Sequence, residues 1–290
     1  MSKSSERTGS SSKRFVDVPT RLLGIDGSQL VVRDLGRGHD AQLPLVALTH
    51  LGANLDSWDP EIVDPLATGR RVILLGYRGV GASTGAVRGR FVDMAADAIA
   101  AIRALRLPRV DLFGLSMGGM VAQEILRLAP ELVDRVILAG AGPQGGPGLT
   151  RMTGVFLRGA GRGAATFTPP TSLLFFTRTA QGTQAARDYQ DRLRRRRSGR
   201  DRAVTPAVLR AQLRAVNRWG HELPTPPTEH TKPVLILHGD SDHLVPPANV
   251  DALRKVFPNS QARIFPDSGH GVVSQNRQAV TALVDTFLRR

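Results

Sequence analysis

Seven short runs rich in Val, Leu and Ile recur along the chain, and most are separated by segments with helical spacing. The runs lie at residues 30–32, 43–49, 71–75, 110–115, 136–139, 233–238 and 262–265. Continuous apolar runs suit strands covered on both faces, as in a parallel sheet. Between them, residues 94–105, 119–128, 250–256 and 280–288 place apolar side chains three and four apart, the period of a helix packed along one face. This alternation predicts an α/β fold with a doubly wound, mostly parallel sheet. The chain has 290 residues, 41% of them hydrophobic, enough for one large domain of this class carrying an insertion.

The rhythm breaks between residues 147 and 229. This stretch contains no convincing strand. Glycines crowd residues 142–148 and 159–163, and a Pro169-Pro170 pair follows. Helical patterns cover 180–197 and 206–219, and a Pro-rich segment over 223–228 leads back to a strand. The expected division is a core at 19–146 and 230–290, interrupted by a helical cap insertion at 147–229. Residues 1–18 are basic and Ser-rich. They are read as a disordered tail, because they offer too little apolar surface to offset the cost of ordering.

Several function classes fall away on composition. Without Cys, the chain has no disulfide, cysteine nucleophile or thiolate metal site. That usage fits the cytoplasm, as does an N-terminus without an apolar signal segment. No run approaches the roughly 18 apolar residues of a membrane span. The formal net charge of +14 invites a nucleic-acid reading, but it is spread along the chain. No helix-turn-helix, RNA-binding or zinc pattern accompanies it, so no nucleic-acid partner is expected. The Arg194–Arg197 run reads as a solvated helix face.

The chemistry concentrates in three loops. Gly114-Leu115-Ser116-Met117-Gly118 follows a predicted strand and opens a predicted helix. A Gly-x-Ser-x-Gly in that context is a nucleophile elbow: a sharp turn that lifts the serine oxygen above the sheet. Only small residues fit beside such a turn. It also aims the next backbone N–H, that of Met117, at a developing oxyanion. A serine hydroxyl needs a base. Asp242 follows the strand at 233–238, and His270 follows the strand at 262–265. The order Ser, acid, His is the one this motif requires. Both loops lie at C-terminal strand ends, where open α/β sheets place their sites. Asp240 rivals Asp242 but also suits a turn cap.

These pieces resemble the α/β-hydrolase superfamily over nearly the whole chain. The resemblance is nearest to bacterial hydrolases and esterases related to metal-free haloperoxidases. Leu48-Thr49-His50-Leu51-Gly52, Asn54-Leu55-Asp56-Ser57-Trp58-Asp59-Pro60 and Gly76-Tyr77-Arg78-Gly79-Val80-Gly81-Ala82-Ser83 carry it further. It implies an eight-stranded sheet with Ser116 as nucleophile, His270 as general base and then acid, and Asp242 orienting His270. The loop after His50 would supply the second oxyanion N–H, from Leu51 or Gly52. The family usually has Gly directly after that His; here Leu51 intervenes.

The implied function is a serine hydrolase acting on a small ester, lactone or related acyl substrate, without metal or organic cofactor. Two other readings use the same residues: a cofactor-free haloperoxidase or perhydrolase, and a non-catalytic binding protein on this fold. Relatives with an aspartate nucleophile are excluded by Ser116. His50 is expected to shape the oxyanion loop and border the pocket. Phe175, Phe176 and Trp219 fit either a pocket lining or ordinary helix packing. Asn54 and Asp56 read as turn formers, and His238 and His243 as non-catalytic.

Overall fold

The computed structural model describes residues 14–36, 42–224, 226 and 232–289. Eight strands form one sheet: β1 (Arg21–Ile25), β2 (Ser28–Leu35), β3 (Leu45–Leu48), β4 (Val72–Leu75), β5 (Val110–Leu115), β6 (Val133–Ala139), β7 (Val234–Gly239) and β8 (Gln261–Phe265). Their spatial order is β1-β2-β4-β3-β5-β6-β7-β8. β1 and β2 pair antiparallel, as do β2 and β4, and every later pair is parallel. Among the described residues the α-helices are α1 (Pro60–Thr68), α2 (Phe91–Ala104), α3 (Met117–Leu128), α4 (Met152–Ala165), α5 (Pro170–Phe175), α6 (Ala180–Arg194), α7 (Pro206–His221), α8 (Asn249–Val256), α9 (Val272–Gln275) and α10 (Arg277–Leu288).

Both faces of the sheet are covered, and the strands show it residue by residue. In β3, Val46 and Leu48 join one core with Met94, Met120 and Leu253, from α2, α3 and α8. Leu45 and Ala47 join the other with Ile62, Val280 and Val284, from α1 and α10. Side chains alternate across a strand, so a strand buried on both faces must be apolar throughout. That is why the continuous runs marked these strands. β1 left no such signal, because four of its five residues are exposed or half-exposed at the sheet edge.

Two expectations about organisation change. Of the tail, residues 1–13 lie outside the described residues, but residues 14–18 are docked, not disordered. Phe15 and Val18 are buried in the α1 core. The Phe15 N–H donates to Asp64 at 2.6 Å, and Arg196 donates to the carbonyls of Phe15, Val16 and Val18. The Arg194–Arg197 run is likewise not uniformly solvated. Arg196 is buried among those carbonyls, and Arg192, one turn earlier, is buried against Asp59. Arg192 extends the buried stripe Gly182, Ala186, Tyr189 of α6, so helical register brings its guanidinium inward, whereas Arg196 lies just past the helix end.

Residues 152–221 hold four helices, α4 to α7, between β6 and β7. α4 was not expected, because Gly154, Gly159, Gly161 and Gly163 lower its helical propensity. Two of these glycines let neighbours close in: a Cβ on Gly159 would fall 2.2 Å from the Leu174 side chain, and one on Gly163 2.7 Å from the Thr168 carbonyl. The segment 227–231 of the return linker, with the expected core boundary at 229/230, lies outside the described residues. Among the described residues, no helix is long and apolar enough to cross a membrane.

Candidate active site

Ser116 stands between the last residue of β5 and the first of α3, with φ 52° and ψ −116°. A non-glycine residue in that conformation carries backbone strain that the surroundings must enforce. They do so by close approach. A Cβ on Gly114 would lie 2.4 Å from the Gly119 Cα, and one on Gly118 would lie 2.2 Å from the Leu48 carbonyl. The start of α3 is thus pressed against the end of β3, from which the His50–Gly52 loop springs.

The three loops meet. His270 Nε2 lies 2.8 Å from Ser116 Oγ, and His270 Nδ1 lies 2.7 Å from Asp242 Oδ2. A carboxylate only accepts, so the Nδ1 proton is held by Asp242 and Nε2 is left to accept from the serine hydroxyl. The other oxygen of Asp242 accepts the N–H groups of Leu244 and Val245, both at 2.9 Å. Asp242 is 2% exposed, and these bonds hold it in register. Asp240 serves differently: it accepts the N–H groups of Asp267 and Ser268, tying the loop that carries His270 to the end of β7. His238 is fully buried and bonded through Nε2 to the Val245 carbonyl. Burial holds its pKa below the ordinary value. His243 takes no part in this hydrogen-bonded line.

The second loop resolves a choice that spacing left open. The Gly52 N–H donates to Gln212 Oε1 at 2.8 Å, a fully buried side chain on α7. Among the described residues, no acceptor faces the N–H of Leu51 or of Met117. Those two donors stay unengaged, whereas that of Gly52 is taken. Gln212 had no motif to announce it; it sits on the buried face of an amphipathic helix, between Val208 and Val216.

A cavity of about 30 Å³ opens beside Ser116, walled by His50, Trp58, Asp59, Phe175, Tyr189 and His270, among others. The Phe175 ring stands edge-on to both His50, at 4.8 Å, and His270, at 5.2 Å. Its carbonyl accepts the Gly271 N–H at 2.7 Å, clamping the end of α5 onto the histidine loop. Of the pocket residues expected from sequence, His50 and Phe175 border this cavity. Phe176 faces a separate, wider cleft of about 670 Å³ with Arg158, Arg162 and Arg178. Trp219 lies elsewhere: its Nε1 donates to the Gly142 carbonyl at 3.2 Å and its ring packs on Phe91. Its place on the buried face of α7 gave it the packing role, not the pocket role.

The wall also contains groups that spacing could not reveal. Asp59 and Arg192 form a buried pair at 2.8 Å, and the Tyr189 hydroxyl donates to the Ser57 carbonyl. Asn54 and Asp59 each cap a helical turn, as turn formers do. Asp56 instead pairs with the buried Arg33. His50 bonds through Nδ1 to the Leu51 carbonyl at 2.9 Å, and burial pushes its pKa down to about 4. Among the described residues, no group of three or more His, Asp or Glu converges as a metal-binding set.

Comparison with known proteins agrees with this architecture. A family model for the alpha/beta hydrolase fold matches residues 44–276. The non-heme haloperoxidase of Rhodococcus erythropolis is 26% identical over 285 residues, covering 91% of this chain and 97% of that protein. The dihydrolipoyllysine-residue acetyltransferase component of the acetoin cleaving system of Pseudomonas putida is 27% identical over 262 residues. That match covers 87% of this chain but 65% of the relative, so the chain spans less than two thirds of that protein. Among solved structures, an alpha/beta hydrolase fold protein from Chitinophaga pinensis superposes with a TM-score of 0.89 at 27% identity, covering 95% of this chain and 99% of that one. Strand order, the strained turn at Ser116 and the family match point the same way: the chain belongs to the α/β-hydrolase fold family.

Proposed function

We propose that this protein is a serine hydrolase that cleaves a small ester, lactone or related acyl substrate through an acyl-enzyme on Ser116. The observation that carries the reading is the unbroken line from Ser116 Oγ to His270 to the buried Asp242, at 2.8 and 2.7 Å, with the serine on a strained turn. In the first half-reaction Ser116 Oγ attacks the carbonyl carbon and its proton passes to His270 Nε2. Asp242 holds the ring and offsets the charge of the imidazolium. Negative charge on the former carbonyl oxygen is met by the N–H groups of Leu51 and Met117, and each such donor is worth about 100- to 1,000-fold in rate. The intermediate collapses, and the leaving alcohol takes the proton from His270. In the second half-reaction His270 accepts a proton from water, the hydroxide adds to the acyl carbon, and Ser116 departs with that proton. No cofactor enters either step.

Similarity to a non-heme haloperoxidase favours one second reading, in which peroxide replaces water in the second half-reaction and the product is a peracid. Both readings share the acyl-enzyme, so one experiment tests them. A fluorophosphonate probe is expected to label Ser116, and Ser116→Ala is expected to lower hydrolysis of short p-nitrophenyl esters by about 10,000-fold or more. An unlabelled Ser116, or a Ser116→Ala variant with wild-type rate, overturns the proposal. Adding peroxide to the active enzyme then separates hydrolysis from peracid formation.

A further inference from the structure

The cavity beside Ser116 is walled by two side chains with a polar atom left unmet. His50, 7% exposed, spends Nδ1 on the Leu51 carbonyl. A carbonyl only accepts, so the ring proton sits on Nδ1 and Nε2 presents a bare lone pair. His50 Nε2 is buried and has no partner among the described residues. Trp58, 2% exposed, lines the same cavity, and its buried Nε1–H also lacks a partner. Buried polar atoms are nearly always hydrogen-bonded, and leaving one unmet is costly. One wall therefore needs a donor and another needs an acceptor. Two other polar side chains of the lining are engaged: Asp59 by Arg192 and the Glu61 N–H, and Tyr189 by Ser57.

A hydroxyl is a small neutral group that donates and accepts, which suits a small cavity whose walls carry one unmet acceptor and one unmet donor. We infer that the preferred substrate of this site carries a hydroxyl on a short arm next to the scissile carbonyl, received by His50 Nε2 and favoured by the indole N–H of Trp58. The inference rests on the acyl-transfer reading of Ser116 and adds the class of acyl group. His50 acts here as a specificity residue. A neutral imidazole suits the role, since it accepts from the hydroxyl without adding charge beside His270. A site built to bond a hydroxyl discriminates strongly against the analogue that lacks it, because its own polar atoms are then left unmet.

The test compares p-nitrophenyl 3-hydroxybutyrate, as each enantiomer, with p-nitrophenyl butyrate. Each kcat/KM is divided by that ester's own hydroxide-catalysed rate, which removes intrinsic reactivity. The wild-type enzyme is expected to favour one hydroxy ester by about tenfold or more. His50→Phe removes the acceptor at similar volume and should bring the ratio to about one. His50→Gln, which can present an amide oxygen there, should keep most of it, and Trp58→Phe should lower it. Fluorophosphonate labelling of Ser116 in every variant reports an intact turn. An active wild type with a ratio near one, or a ratio unchanged by His50→Phe, overturns the inference and leaves the acyl-transfer reading standing. A wild type that cleaves neither ester and is not labelled overturns that reading, and the inference with it.

Discussion

The core and the cap of this molecule are held together in different ways. Around the site, backbone meets backbone: Gly114, Gly118 and Gly239 each leave no room for a Cβ, and the ends of β3 and β5 are apolar. The helices from 152 to 221 share the apolar core through residues such as Val208, Val216 and Trp219, and add polar latches. Arg192 reaches Asp59, Arg195 reaches Glu61, Arg196 reaches the chain at 15–18, and Gln212 reaches Gly52. Close packing tolerates almost no displacement, whereas polar latches tolerate exchange of partners. The proposed chemistry lies in the core, and the cap closes the cavity on one side with Phe175 and Tyr189.

The largest expected effect lies wholly within the core. Asp242→Asn keeps the shape of the side chain but removes the charge that orients His270. It is expected to lower kcat on short esters by about 10,000-fold while KM changes little. A drop of less than tenfold would break the division, by showing that Asp242 is a turn former like Asp240.

Arg192→Leu tests the latch. Removing one partner of a buried ion pair leaves the other charge unpaired, which typically costs about 3–5 kcal/mol. Hydrogen exchange is expected to quicken in α6 and its neighbours while β3, β5 and β6 keep their protection. Uniform loss of protection across the sheet would mean that cap and core unfold as one unit.

The third effect is a dependence on pH at the seam. His50 is neutral in the folded state because burial lowers its pKa from 6.5 to about 4. Above pH 6.5 it is neutral in both states and contributes nothing to pH dependence. As pH falls below 6.5 the unfolded chain takes up a proton that the folded chain refuses until about pH 4, so stability is lost across that window. The loss from this group reaches on the order of 2 kcal/mol at pH 4.5. Urea unfolding at pH 7 and 4.5 should show a smaller acid loss in His50→Phe than in the wild type. Equal slopes would place the acid sensitivity elsewhere, with His238 the next residue to examine, since burial lowers its pKa too.

Legibility followed the same boundary. Strands buried on both faces announce themselves as unbroken apolar runs, so the inner strands were visible; of the two edge strands, the exposed β8 was read from its composition and β1 was not. α1 was missed because Pro60 and Pro65 fall within it, although Pro60 sits at its first position, where no N–H is needed. α4 was hidden by its glycines. In the site, Ser116, Asp242 and His270 were readable because a strained turn and two strand-end loops restrict residue type locally. Asp59, Tyr189, Arg192 and Gln212 were not, since each is an ordinary polar side chain whose position matters only through a partner far along the chain.

The amino-acid sequence alone thus determined the sheet, the turn at Ser116 and the order of the three candidate catalytic residues, because these rest on local backbone sterics and on periodicity. Only the tertiary structure decided that Gln212 takes the Gly52 N–H and leaves that of Leu51 free. It alone turned Phe175 toward His270 and Trp219 away, and left His50 Nε2 and Trp58 Nε1, on two side chains that line one cavity, without partners among the described residues. The physical reason is range. A turn is settled by its immediate neighbours, while the satisfaction of a buried polar atom depends on which distant segment folds over it.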